Sequence, residues 1–403
     1  MSIPSLSMAG AAVDDAGLVG DRAGAQRHLV FSFRSFSETF ALSTAHNGYL
    51  TGTLAFFWTL SILVNGPLAD RIGQVRLMVP GLVLGAVAFG LSAAVGSVAL
   101  LYVLTALAGF GCGAIVPASL SFLAEQSAPE KRGLFYGAAQ SSYTLIGSAI
   151  GAVVFTRLAA TAVGWRGSYL VIAGLLALGA LLLFVCGRGI PRSSETTSGD
   201  KQSFRALLRH RNVVLSTVLA CLAMMWYFTV AAYTILYLME ARALSAVAAG
   251  AIFAGFGGGG FIGEFGAPFV SDRLGRKTTV VLAAVLGGAC YAAFVLLPLS
   301  SLGQTLALAG ASCFMSGAMA ICNSVIPSES VPESLVASAT SFTPACGECM
   351  GGVVAPVVAG MISGAVGTSQ VMHLLILLPF LVAGGVLLLR ETAPAVLERR
   401  RAR

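Results

Sequence analysis

Apolar stretches of about twenty residues or more, separated by short clusters of charge, are the feature that most limits what this chain can become. Reading the runs between charge clusters predicts helices at roughly 46–69, 77–96, 98–124, 133–159 and 168–187 in the first half. On the same basis the second half holds spans at roughly 212–238, 245–270, 278–298, 302–326, 335–362 and 370–390. Only 10% of the residues are charged, 57% are apolar and the mean hydropathy is +0.86, which places such runs in a bilayer rather than in a soluble core. The fold class expected is therefore an all-α polytopic membrane protein of two helical bundles, with eleven spans divided five and six.

The boundaries that follow are a polar N-terminal segment at 1–40 and a first bundle at 41–187. A linker at 188–211, a second bundle at 212–390 and a basic tail at 391–403 complete the chain. The linker sequence "GRGIPRSSETTSGDKQSFRALLRHRN" is polar, basic and Ser/Thr-rich at its centre. Lys and Arg are divided unequally between the two sides. One side collects eighteen, among them Arg71, Arg76, Lys131, Arg132, Arg188, Arg276 and Lys277, and the other has Arg157, Arg166 and Arg242. That excess predicts a cytoplasmic linker and C-terminus, as in a bacterial-type inner membrane.

The net charge of +7 is spread through loops and tail, which gives a nucleic-acid partner little support. All eight cysteines fall inside apolar runs and read as small buried side chains rather than a disulfide framework. No cleavable signal is expected at the N-terminus. Four scattered histidines offer no enzyme-like cluster, so no cofactor, no metal and no enzymatic activity are expected.

The two halves echo one another. "PLADRIGQVR" at 67–76 returns as "FVSDRLGRKT" at 269–278, aligning Asp70 with Asp272. "AEQSAPEKRG" at 124–133 is matched by "SESVPESLVA" at 328–337, which sets Glu125 opposite Glu329. "GSAIGAVV" at 147–154 has a looser partner in "GECMGGVV" at 347–354. Near-constant offsets of this kind are the mark of a duplicated transporter half.

With these residues in view, the chain resembles the major facilitator superfamily of secondary transporters. That family's loop pattern after its second helix is Gly-x-Leu-x-Asp-Arg-x-Gly followed by basic residues. Here it reads Gly66, Leu68, Asp70, Arg71, Gly73 and Arg76, and the second copy keeps Asp272, Arg273, Gly275, Arg276 and Lys277, with Pro268 in place of the first glycine. The resemblance implies that these residues form a conformational latch, with Glu125, Arg132 and Glu329 in the neighbouring cytoplasmic loops. Physically, a turn of a few residues needs the backbone freedom of Gly73 or Gly275, and basic side chains anchor it at the membrane surface.

Ionisable groups at bilayer depth are functional candidates, since holding one there charged costs ~2.5 kcal/mol or more. Glu348 is the leading one, about thirteen residues or ~20 Å into its span, among Pro344, Gly347, Gly351, Gly352 and Pro356. It is the candidate for proton coupling, against the alternative of a neutral glutamate held for packing. "GECMGG" also resembles a Gly-Glu-x-x-Gly-Gly stretch of family members that import organic acids or sugars. Glu264 is the second candidate, and pairing with the latch is the favoured reading for it.

Gly255, Gly259 and Gly263 recur every four residues and predict a close helix contact, as do Gly351 and Gly352. "GFGGGG" lacks the preceding strand and the following Gly-Lys-Ser/Thr that a phosphate loop requires, and "GFGCG" at 109–113 fails likewise as a dinucleotide fingerprint. "CGEC" at 346–349 reads as packing rather than redox chemistry. Asn65, Tyr102, Gln140, Tyr143, Trp226, Tyr227, Tyr233 and Asn323 are candidates for a substrate cavity between the halves, each weighed against ordinary helix contact. His373 reads as an outer-end residue without such a role.

The function expected is proton-coupled transport of a small organic solute, with import of an organic acid or similar metabolite ahead of export of drugs or metabolites. A non-transporting sensor or an inactive truncated carrier is the reading from another class. Protons, a small solute and the lipid bilayer are the partners expected, with a monomer as the unit. One absence complicates this picture. Subtracting the repeat offset from residues 212–238 lands on 10–36, where Asp14, Asp15, Asp21, Arg22, Arg27 and Arg34 exclude a span. The expectation is a missing or disrupted first helix, from genuine loss or from a recorded N-terminus that departs from the functional one.

Overall fold

The structure, a computed structural model, describes residues 40, 42, 45–72, 74–115, 149–159, 161, 164–186, 204–332, 335–393 and 396. The expectation of a missing first helix, and with it residues 10–36, lies outside these residues.

In the first half, α1 (Ala45–Ile72), α2 (Gln74–Ser92), α3 (Val98–Gly113), α4 (Gly151–Ala159) and α5 (Gly164–Cys186) are described. After a single helical turn at Phe204–Leu207 come α6 (Arg211–Glu240), α7 (Ala246–Leu274), α8 (Arg276–Leu296) and α9 (Ser301–Ala320). α9 runs through a π turn, Ile321–Val325, into Ile326–Glu329. The last two spans are also broken. α10 (Val336–Glu348) passes through a π turn, Cys349–Val354, into α11 (Ala355–Val366), and α12 (Thr368–Leu374) is followed by α13 (Leu377–Val386).

Eight helical segments among the described residues are long and apolar enough to cross a membrane, with Val98–Gly113 as a shorter apolar helix. The chain is thus a multi-pass helical membrane protein. Each crossing reverses direction, so the interhelical junctions fall at two ends. The end with the linker carries the junctions near residues 73, 275 and 329–336, and the far end carries those near 95, 162, 243, 299 and 367.

The connections are short because the local chemistry stops and restarts the helices. Gly275 alone joins α7 to α8 at φ +97°, and Gly367 joins α11 to α12 at φ +94°, a region that costs a side-chain-bearing residue about 1 kcal/mol or more. At the far end Ser97, Ser245 and Ser300 each accept a backbone N–H three residues on, capping α3, α7 and α9.

Packing rests on close approach, because hydrocarbon tails leave little hydrophobic drive between spans. A Cβ on Gly255 would stand 2.8 Å from the carbonyl oxygen of Thr305, and one on Gly259 or Gly263 would run into the backbone of Ala309 or Cys313. α7 and α9 are therefore in backbone contact along a three-turn glycine face. Around it Trp226, Phe253, Phe256, Tyr291 and Phe294 fill the centre of the second bundle, with Trp226 edge-on to Tyr291 at 5.2 Å. Leu175, Leu178, Leu181 and Leu182 of α5 lie exposed, as a lipid-facing helix requires.

Candidate functional site

At the linker end of the second bundle, the first turn of α8 gathers charge from three directions. Arg276 is almost fully buried there. Its guanidinium pairs with Asp272 at 2.6 Å and Glu329 at 2.8 Å, and donates to Ser271 Oγ and to the carbonyl of Pro268. Nε adds a second bond to Glu329 at 3.2 Å, so the Glu329 carboxylate is held by the planar fork of the guanidinium. Glu329 also accepts the hydroxyl of Thr392 at 2.7 Å.

Glu391 completes the cluster. It accepts the backbone N–H of Arg276 at 2.8 Å and of Lys277 at 3.2 Å, while turning back on the N–H groups of Thr392 and Ala393. These are orphan donors of a helix start, where a carboxylate is favoured by both hydrogen bonding and the helix dipole. Lys277 donates to the carbonyls of Leu387 and Leu389, and Asn212 exchanges bonds of 3.1 Å with the backbone of Arg390. The starts of α6 and α8 and the segment after α13 are thereby tied together.

Of the residues expected in the latch, Asp272, Arg276 and Lys277 meet in this cluster with Glu329, and Gly275 supplies its turn. Arg273 and Arg76 are exposed. Glu264 stands two turns earlier on α7, half-buried. Gly66, Asp70 and Arg71 belong to the last turns of α1. Gly73, Glu125, Arg132, Gln140 and Tyr143 lie outside the described residues.

The two bundles touch in the half of the membrane away from the linker. α1 lies against α11, where a Cβ on Gly48 would meet the carbonyl of Pro356 and, at 2.8 Å, the Tyr233 hydroxyl. One turn on, a Cβ on Gly52 would stand 2.5 Å from Val357. Gly360 faces back at 2.9 Å from the carbonyl of Ala45. Tyr233 donates to Pro356 O at 3.2 Å, and Asn47 of α1 donates through Nδ2 to Ala232 O of α6 at 3.2 Å. A second seam joins α4 to α7, where Gly250 rests on Thr156 and Ala152.

Glu348 lies just below the first seam, at the end of α10 where the π turn begins. The point where Gly352 would carry a Cβ is 3.3 Å from Ala55 Cβ of α1 and 3.5 Å from Glu348 Oε2. The carboxylate is therefore on the face turned toward the other bundle. Among the described residues, none forms a hydrogen bond or ion pair with it. Gly347 and Gly351 of the same segment close on Met224 of α6, and Thr343 shares a 2.9 Å hydroxyl contact with Thr217. These contacts fix the segment that carries Glu348.

The aromatic residues expected in a cavity are elsewhere in this arrangement. Trp226 and Tyr233 are wholly enclosed, the first in the second bundle's aromatic centre and the second in the seam. Tyr227 packs on Phe256 at 5.0 Å. Asn65 is buried and donates to Ser61 at 2.7 Å, which in turn binds the carbonyl of Phe110 within the first bundle. Tyr102 is half-buried beside the Leu101 cluster, and His373 is exposed at the far end. Asn323 stands in the first π turn, with its Oδ1 enclosed and without a partner among the described residues. Further oxygens in that condition include Asn47 Oδ1 and Thr51 Oγ1 of α1, residues that the sequence alone does not single out. Both sit in an ordinary apolar run. Leaving a buried polar atom unpaired costs about 1–3 kcal/mol, so such atoms call for a reason.

Two helical bundles, a charged cluster at one end, close-packed seams at the other and a membrane-depth carboxyl between them define a carrier-type membrane protein. The sequence profile of the Major Facilitator Superfamily matches residues 23–349, and the chain belongs to that family. It is 26% identical over 264 residues to a probable nitrate/nitrite transporter, NarK2, of Mycobacterium tuberculosis, covering 64% of this chain and 65% of that one. It is also 26% identical to a putative niacin/nicotinamide transporter, NiaP, of Bacillus subtilis, covering 74% of each. This chain thus spans about two thirds of the length of the NarK2 relative. Among solved structures, it resembles a bacterial homologue of the human lysosomal transporter Spinster in an inward-facing, occupied conformation. The TM-score is 0.74 at 16% identity, covering 96% of this chain and 97% of that one. A variant of the nucleoside transporter NupG follows at TM-score 0.70 and 14% identity, covering 92% and 96%. These structural likenesses bear on the fold.

Proposed function

We propose that the chain is a proton-coupled secondary transporter of a small organic solute, with Glu348 as the proton carrier. The observation that carries this reading is the position of Glu348, an acid without a partner among the described residues, at membrane depth and on the face turned to the other bundle. A structural glutamate would be tied to a neighbouring carbonyl or cation, since burying an unpaired charge is costly.

The motion follows from the contacts. The bundles meet through glycine-backed seams at the far end, and rocking about the membrane centre would part those seams while bringing the linker ends together. The distribution of Lys and Arg supports a cytoplasmic linker, which makes the present arrangement inward-facing. Residues 41–187 and 212–390 act as the two moving bodies, and the Arg276 cluster keeps the linker end of the second one rigid. The transporters of nitrate/nitrite and of niacin/nicotinamide to which the chain is similar support a small solute.

Uptake into proteoliposomes carrying the protein should respond to an imposed proton gradient and lose that response on adding a protonophore. Glu348→Gln should abolish that response in protein that stays monodisperse on gel filtration. Gradient-driven uptake that survives in Glu348→Gln removes this residue from the coupling step, and extrusion driven by the same gradient assigns the chain to export.

A further inference from the structure

We propose that the solute bears an ammonium group or a similar cationic N–H donor, received by Glu348 and by Thr51 and Asn47 of α1. The inference deepens the transport reading above and rests on its assignment of the Glu348 face to the transport path.

The unpaired atoms along that path share one chemistry. On α1, Asn47, Thr51 and Ala55 follow one another at four-residue spacing toward the second bundle. Asn47 bonds Ala232 of α6, and Ala55 faces the π turn beside Glu348. At 1.5 Å rise per residue, Thr51 stands about 6 Å and Asn47 about 12 Å beyond the level of Ala55. Thr51 Oγ1 and Asn47 Oδ1 are enclosed and lack a hydrogen-bond partner among the described residues. The bond from Asn47 Nδ2 to a carbonyl identifies which amide atom is the oxygen, so the atom left over accepts only. A carboxylate also accepts only, and a threonine oxygen can accept. The path therefore offers two groups that only accept and, between them, a hydroxyl that can accept.

Four of the described cations are engaged away from this path. Arg242 is held by the carbonyls of Val295 at 2.9 Å and Leu297 at 3.2 Å at the far end, and Arg166 stacks over Trp165 at 4.5 Å. Arg276 and Lys277 are bound in the linker-end cluster. An anion beside an ionised Glu348 would meet like charge with no cation paired to that carboxylate among the described residues, whereas an ammonium supplies both the charge and the N–H donors. Entering from the linker side, it meets Glu348 first. Thr51 and Asn47 take it over as α1 parts from α11.

The test is isothermal titration of the purified full chain near neutral pH with phenethylamine, phenethyl alcohol, nicotinate and nitrate. Phenethylamine should bind and the other three should not. Glu348→Gln should abolish binding, Thr51→Val should weaken it about tenfold, and Thr51→Ser, which keeps the oxygen, should match the wild type. Each variant is first shown to be monodisperse on gel filtration, so that loss of binding is not loss of fold. Binding of nicotinate or nitrate instead of the amine, binding of none of the four, or equal amine binding in Glu348→Gln and Thr51→Val overturns the proposal. Amine binding that persists while proton-driven uptake fails removes the coupling reading alone.

Discussion

Glu391 accepts the backbone N–H of Arg276 at 2.8 Å, so a residue beyond the last span caps the first turn of α8. The cap joins two elements more than one hundred positions apart in the chain, and it also restrains the segment after α13. Glu391→Ala should lower stability by about 1 kcal/mol, in line with the loss of a helix cap. Glu391→Gln, which keeps one acceptor oxygen, should fall between that and the wild type. Thermal unfolding in detergent reads the order, and three indistinguishable melting curves would contradict it.

Within the same cluster, the two carboxylates on Arg276 should be unequal. The Asp272 side chain is 59% exposed and the pair is spaced four residues apart on one helix, which makes it worth about 0.5 kcal/mol or less. Glu329 is 21% exposed and meets the guanidinium through two nitrogens. Glu329→Gln should therefore destabilise the protein more than Asp272→Asn. Arg276→Lys should not rescue, because a single ammonium cannot reproduce the fork. The reverse order in a chemical or thermal melt would show that Asp272 is the anchor.

Neighbouring glycines on α7 should respond in opposite ways. A methyl group at Gly259 meets the backbone of Ala309, which no side-chain rotation relieves, whereas one at Gly258 has nothing within 4 Å. Gly259→Ala should cost about 1–3 kcal/mol or more by forcing α7 from α9. Gly258→Ala should be neutral or stabilising by up to about 1 kcal/mol, through helix propensity. Equal melting temperatures for the two variants would refute backbone contact at Gly259.

The seam between the bundles gives a conformational prediction. Gly48→Ala pushes a methyl group into the carbonyl of Pro356 and the Tyr233 hydroxyl, and Asn47→Ala removes a hydrogen bond from α1 to the carbonyl of Ala232 on α6 worth about 1 kcal/mol. Both should favour the arrangement in which α1 and α11 separate. Placed in a Thr51→Cys background, each should speed reaction of that cysteine with a membrane-impermeant maleimide added from the far side. Unchanged labelling would mean that this contact does not hold the seam shut.

Much of the scaffold is legible in the sequence because a bilayer imposes its own length and polarity on each span. The run at 212–238 is the helix Arg211–Glu240, and that at 278–298 is Arg276–Leu296. Gly255, Gly259 and Gly263 carry a spacing that only a helix face explains. Other features leave no such trace. Glu391 follows the last apolar run in a basic tail, and nothing local to it shows that the α7–α8 turn lies opposite. Trp226 and Tyr233 look like cavity residues because aromatic polar tips suit a binding site. Depth alone does not say which side of a helix is enclosed, and these two face inward. Thr51 and Asn47 are inconspicuous for the opposite reason, since isolated hydroxyl and amide groups are common in spans and usually bond back to their own helix.

The π turn at Cys349–Val354 has a consequence for how this chain tolerates change in length. Such a turn holds one residue more than the α-helix around it, so the segments before and after are out of phase by about 100°. Removing a single residue there would shorten the span by only about 1.5 Å, well within what lipid accommodates. It would nonetheless swing Glu348 away from α1, or Gly360 away from Gly48. A hydropathy profile would scarcely register the deletion, yet it would uncouple the acid from the gate.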